Sequence, residues 1–119
     1  MEKLHTNKGD FMFIRIYLNT DNQQDALNIL ENVLNQLDVE IQNKEIVKVE
    51  PYWKMEEVYI IEVSFLVNKL TEEGFEKFLE KISDKWTYFD HPINEVLASE
   101  TTDGCTFLFP GVKLINIHL

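Results

Sequence analysis

Residues Phe11 to Asn19 read FMFIRIYLN. The stretch is rich in β-branched, aromatic and aliphatic side chains, and neither glycine nor proline interrupts it, so it reads as a β-strand. Successive side chains on a strand point to opposite faces. Met12, Ile14, Ile16 and Leu18 therefore share a wholly apolar face, while Phe11, Phe13, Arg15 and Tyr17 share the other, aromatic with one charge. The first face calls for a layer of helices over it. The second is too aromatic for plain solvent and too charged for a second core.

Working outward, TDNQQDALNILENVLNQL (Thr20 to Leu37) carries a helix start, with Thr20 and Gln23 spaced as a capping box. Asp21 and Asp25 favour the positive end of the helix dipole. Ala26, Leu27, Leu30, Val33, Leu34 and Leu37 recur at helical spacing and make a buried stripe, with Asn28, Glu31, Asn32 and Asn35 opposite. KEIVKVEPYW (from Lys44) and EVYIIEVSFLV (from Glu57) read as strands joined by a polar turn around Lys54 to Glu56. In the first, Val47 and Val49 oppose Lys48, Glu50 and Tyr52, and Pro51 suggests a sheet edge or bulge. In the second, Ile61, Val63, Phe65 and Val67 alternate with Ile60, Glu62, Ser64 and Leu66. TEEGFEKFLEKISDKW (from Thr71) is a second helix, capped by Thr71, with Phe75, Phe78, Leu79, Ile82 and Trp86 inward. Asp103-Gly104 predicts a hairpin turn between SETT and CTFLF, and Pro110-Gly111 precedes a last strand with Ile115, Ile117 and Leu119 on one face.

The order is strand, helix, strand, strand, helix, then strands. One-sided patterns throughout imply the α+β class, an antiparallel sheet with two helices packed on one face. This order resembles the ferredoxin-like α/β plait with an extra C-terminal β-hairpin. That fold hosts many functions, so function must come from the surfaces.

The chain has 119 residues, 45% of them hydrophobic and 27% charged, which fits one domain, 1–119. A chain of this size buries roughly 65% of its unfolded surface, enough for a core without staples. The polar start, MEKLHTNKGD, lacks the pattern of a signal peptide, and no apolar run approaches membrane-spanning length. Cys105 is the one cysteine, so no internal disulfide forms, and a cytoplasmic location is expected.

The formal net charge is −10, and the sequence holds no lysine or arginine between Arg15 and Lys44, where Asp21, Asp25, Glu31, Asp38 and Glu40 occur. Such a surface repels phosphates, which excludes nucleic acid as a partner class. RNA-binding domains of similar strand order also carry aromatics on this face, but the third strand here offers no outward aromatic or basic residue beyond its start, and the charge is wrong. A net charge of this size also keeps a protein dispersed, whatever its partner.

Asp90, His91 and Glu95 lie close together in FDHPINE, a neighbourhood that can fix a histidine tautomer or move protons. Pro92, however, restricts His91 to extended backbone, and no second histidine falls at ligand spacing, since His5 and His118 sit near opposite ends. The segment reads as a chain re-entry, with Asp90 as turn residue and Glu95 solvated. Cys105 has no cationic neighbour to lower its pKa and reads as a small hydrophobe. No phosphate loop, nucleophile elbow or acid pair is present, so no catalytic residue, metal site or cofactor is assigned.

Two surfaces remain as candidates. The open sheet face collects Phe11, Phe13, Arg15, Tyr17, Tyr52, Glu62 and His118, and the first helix offers an acidic face of Asp21, Asp25, Glu31 and Asp38. The sheet face needs a cover, whether the CTFLF segment, a second copy of the chain or a partner. The expected function is an acidic protein-binding module, docking a protein partner of basic character or forming a homodimer. In charge and size the chain resembles acidic inhibitors such as bacterial immunity proteins. The alternative is a small-molecule domain using a pocket on the open face, with Arg15, Tyr17, Glu62 and His118 as its polar groups.

Overall fold

The computed structural model describes residues 10–90, 94–101 and 104–119. In chain order the elements are β1 (Asp10–Leu18), α1 (Gln23–Leu34), β2 (Ile41–Pro51), β3 (Tyr59–Val67), α2 (Glu72–Ile82), β4 (Thr87–Phe89), β5 (Glu95–Ser99) and β6 (Val112–His118). The strands form a six-stranded sheet in the order β2-β3-β1-β6-β5-β4. Every neighbouring pair is antiparallel. This is an α+β architecture.

The apolar half of β1 becomes the centre of the core. Met12, Ile14, Ile16 and Leu18 are fully buried and cluster with Ile61, Val63, Phe65 and Val67 of β3 and with Ile115 and Ile117 of β6. Ala26, Leu30, Val33 and Leu34 of α1 join the same cluster, as do Phe75, Phe78, Leu79 and Ile82 of α2. Both helices therefore cover one face of the sheet, where burial of their stripes at about 25 cal/mol per Å² of apolar surface holds the layers together. Among the described residues, no helix is long and apolar enough to cross a membrane.

Local chemistry explains the element ends, and several differ from sequence expectation. The first helix starts later than the Thr20–Gln23 spacing suggests. Asn22 is its N-cap, accepting from the Asp25 amide at 3.0 Å, while the Thr20 hydroxyl accepts from the Asn22 amide at 3.1 Å. Thr71 caps α2 as expected, accepting from the Gly74 amide at 3.0 Å. That helix stops at Ile82, short of Trp86, because Ser83 is extended and bridges to Phe107. Trp86 still packs against the core and donates its indole N–H to the Leu79 carbonyl at 2.9 Å.

At the sheet edge, β2 begins at Ile41, before Lys44, and carries irregularities at Gln42/Glu45 and Ile46/Lys48. Each inserts one extra residue. Asn43 sits in the left-handed region (φ 55) at the first, a conformation asparagine tolerates. At the second, Val47 drops out of the pairing and is exposed, so the expected Val47/Val49 face is broken and Ile46 pairs opposite Val63 instead. Bulges of this kind disfavour edge-to-edge pairing.

The segment after Gly104 also departs from expectation. Cys105 to Phe109 does not form a strand pairing with β5, whose neighbours are β4 and β6. It ties instead to the end of α2: Asp84 Oδ1 accepts from the Thr106 amide at 2.6 Å, and the Leu108 amide donates to the Ile82 carbonyl at 2.9 Å. Cys105, Phe107 and Phe109 pack against the core cluster, where the Cys105 sulfur lies 3.2 Å from the Ser83 hydroxyl. Asp103, His91 and Pro92 lie outside the described residues.

Candidate functional site: the uncovered sheet face

The registers of the six strands place the second half of β1 in a grid. One cross-strand row runs Lys48, Glu62, Arg15, Asn116, Leu97 and Thr87 from β2 to β4. The row on one side runs Glu45, Ser64, Phe13, His118, Glu95 and Phe89. The row on the other side holds Glu50, Ile60, Tyr17, Leu114 and Ser99. Among the described residues, no helix or strand lies over this grid.

Its central contact is Arg15 with Glu62. The guanidinium Nε donates to Glu62 Oε2 at 2.7 Å, and the Arg15 guanidinium carbon lies 5.7 Å from the Phe13 ring centre. Side-chain exposure is 39% for Arg15 and 12% for Glu62, so the carboxylate depends on its partner more than the guanidinium does. Asn116 is buried and donates to Glu95 Oε2 at 2.8 Å and to the Val96 carbonyl at 3.1 Å. His118 Nε2 stands 3.7 Å from the same Glu95 oxygen, and its ring tilts against Phe13 at 6.0 Å. Glu95 was expected as a solvated residue of the FDHPINE segment. It opens β5 on the grid instead, because strand parity pairs it opposite His118. Asp90 takes a left-handed conformation (φ 71) just after β4, and the Asn94 amide closes on the Phe89 carbonyl at 3.2 Å just before β5.

Aromatic contacts extend the grid toward one end. The Tyr17 and Tyr52 rings meet edge to face at 5.0 Å, and Tyr52 lies 6.4 Å from Trp53. Burial raises the Tyr17 phenol above its ordinary pKa of 10.0, and Tyr52 and Glu62 add to the rise while Arg15 opposes it. Phe11, at the far end of β1, is exposed.

Of the acidic set, Asp25 and Glu31 lie on α1 in the helical layer, whereas Asp21 precedes that helix and Asp38 follows it. The set is not one continuous field. Glu31 is ion-paired with Lys44. Asp38 lines a cleft of about 290 Å³ together with Lys69, Lys77 and Lys81. Asp25 is exposed at the start of α1, and Asp21 reaches the end of the sheet, lining a cleft of about 260 Å³ with Tyr52 and Trp53.

Four clefts of the described surface lie beside α2, at the β2–β3 end and at the start of α1, and none of the four includes Arg15, Tyr17, Glu62 or His118. No group of three or more His, Cys, Asp or Glu among the described residues is placed to hold a metal ion. Sequence reasoning missed Glu95, Leu97 and Leu114 as members of the face. Parity would have found them once β5 and β6 were known to be neighbours. Comparison with family models, curated proteins and solved structures finds no match to this chain.

Proposed function

We propose that this chain is an acidic, cytoplasmic protein-binding module of the inhibitor or immunity type, and that it docks a basic protein partner through the uncovered sheet face. The observation that carries this reading is the grid itself. Phe13, Tyr17, Leu97 and Leu114 are only half-buried within the chain, yet they surround an ion pair that is already formed. Aromatic residues and arginine are enriched at protein–protein interfaces, so half-buried aromatic and aliphatic side chains around an ion pair that is already formed suit such a contact. The net charge of −10 supplies the second support, because it would steer a basic protein toward the module and repel nucleic acid. We further read the β2-β3-β1-β6 portion of the sheet as ferredoxin-like in its strand order.

The test is co-purification with proteins encoded beside its gene, comparing wild type with Phe13→Asp, together with sedimentation across a range of concentrations. Capture of a basic partner with salt-sensitive association, abolished by Phe13→Asp in a folded variant, supports the reading. Retention of the partner by Phe13→Asp overturns it. A concentration-dependent dimer that Phe13→Asp dissolves would also overturn it, assigning the face to a second copy.

A further inference from the structure

The connection between β2 and β3 carries the most exposed large hydrophobic side chain described here, Trp53 at 81%. The loop bearing it is held in shape. The Tyr52 amide donates to the Val58 carbonyl at 2.8 Å, the Met55 amide donates to the Tyr52 carbonyl at 3.3 Å, and Glu57 takes a left-handed turn (φ 60). Met55 is exposed beside Trp53, and the Trp53–Tyr52–Tyr17 contacts link the tip to the uncovered face.

The charge around this tip is acidic. Asp21, Glu56 and Glu57 line one cleft with Trp53, and Glu50 lies just before the turn on β2. Two basic groups stand near them: Lys113, which lines an adjoining cleft with Asp21, Glu56 and Glu57 and is paired with Glu100, and Lys54, whose ammonium lies 5.0 Å from the centre of the Trp53 ring. The indole face thus already holds a cation supplied by its own chain. A guanidinium is planar, more weakly hydrated and able to stack, so it suits the same indole better than an ammonium does.

We propose that the Trp53 turn is an anchor for an arginine side chain in a basic segment of the partner, which displaces Lys54 from the indole. This rests on the reading of the chain as a module for basic proteins, and it places the anchoring point at the end of the sheet rather than on its centre. Acidic residues around an exposed Trp supply the charge complementarity, and Trp and Tyr are the residue types that most often dominate binding.

The probes are a synthetic arginine-glycine peptide and its lysine-glycine counterpart, titrated by calorimetry into the full chain at low salt. Trp53 fluorescence is followed in a Trp86→Phe variant, since the chain has two tryptophans. The expected result is saturable binding with a change in Trp53 emission, tighter for the arginine peptide. Trp53→Ala should weaken binding by about fivefold or more, the size of a cation–π contact. Glu56→Gln with Glu57→Gln should weaken it more than the equal charge change Glu76→Gln with Glu80→Gln on α2. No binding, wild-type affinity in Trp53→Ala, or equal losses from the two charge pairs would overturn the proposal. The sheet-face reading is judged separately: Phe13→Asp should leave peptide binding unchanged while abolishing capture of a whole partner.

Discussion

Arg15 and Glu62 face each other directly across the β1–β3 register, guanidinium Nε to carboxylate at 2.7 Å, on the side of the sheet that no described element covers. The two partners are unequally buried, and the cost of removing each should differ accordingly. Arg15→Ala strands a largely buried carboxylate and should destabilise by about 1–3 kcal/mol. Glu62→Gln leaves the half-exposed guanidinium free to hydrate and keeps an acceptor, so it should cost less. Urea denaturation of the two variants decides the order, and a larger loss for Glu62→Gln would contradict the burial asymmetry.

Adjacent residues of β1 should respond in opposite ways. Ile14 is fully buried against the helices, and its truncation to alanine should cost about 2–5 kcal/mol. Phe13→Ala, one residue away on the uncovered face, should cost about 1 kcal/mol or less. Similar losses at both positions would mean that something already covers the second face.

Gly111 is fixed chiefly by its backbone, with a close side-chain contact beside it. Its φ is +88°, and a Cβ there would lie 2.7 Å from Ile29 Cδ1 on α1. Gly111→Ala should therefore destabilise by about 2 kcal/mol, combining left-handed strain with overlap. Ile29→Val removes the clashing methyl, so the double variant should recover part of that loss in thermal melts, and no recovery would assign the whole effect to the backbone.

The start of α1 gives a sharper test of capping. Asn22→Ala removes the side chain that accepts from the Asp25 amide and should cost about 1 kcal/mol. Thr20→Ala removes only a bond to the preceding loop and should cost less. If Thr20 proves the costlier, the helix is capped where the sequence spacing first suggested.

At high pH the tyrosines should separate. Burial raises the Tyr17 phenol above 10.0, and burial likewise raises Tyr88, with Glu76 and Glu80 adding to it. The folded state then holds these protons more tightly than the unfolded chain does, so stability is unaffected below pH 10.0 and falls as pH rises beyond it. Ultraviolet titration should reveal a late-ionising component that diminishes in Tyr17→Phe and in Tyr88→Phe. A titration unchanged by Tyr17→Phe would remove the phenol from the half-buried site beside Tyr52.

Some of this was settled by residue order alone. The alternation of β1, the apolar stripes of α1 and α2 and the Thr71 cap are local patterns, and each element they specify forms, because burial of one face demands that period wherever the chain lies. Tertiary structure decided the rest. Pairing of β1 with both β3 and β6 brought Arg15, Glu62, Asn116 and His118 into one grid, and Glu95 joined it only because β5 lies beside β6. The bulge at Val47, the docking of Phe107 on Ser83 and the dispersal of the acidic residues on and around α1 likewise depend on neighbours distant in sequence. Periodicity says which way a side chain points along its own strand. Which strand comes to lie alongside is a matter of how every apolar face can be covered at once, and that is a property of the whole chain.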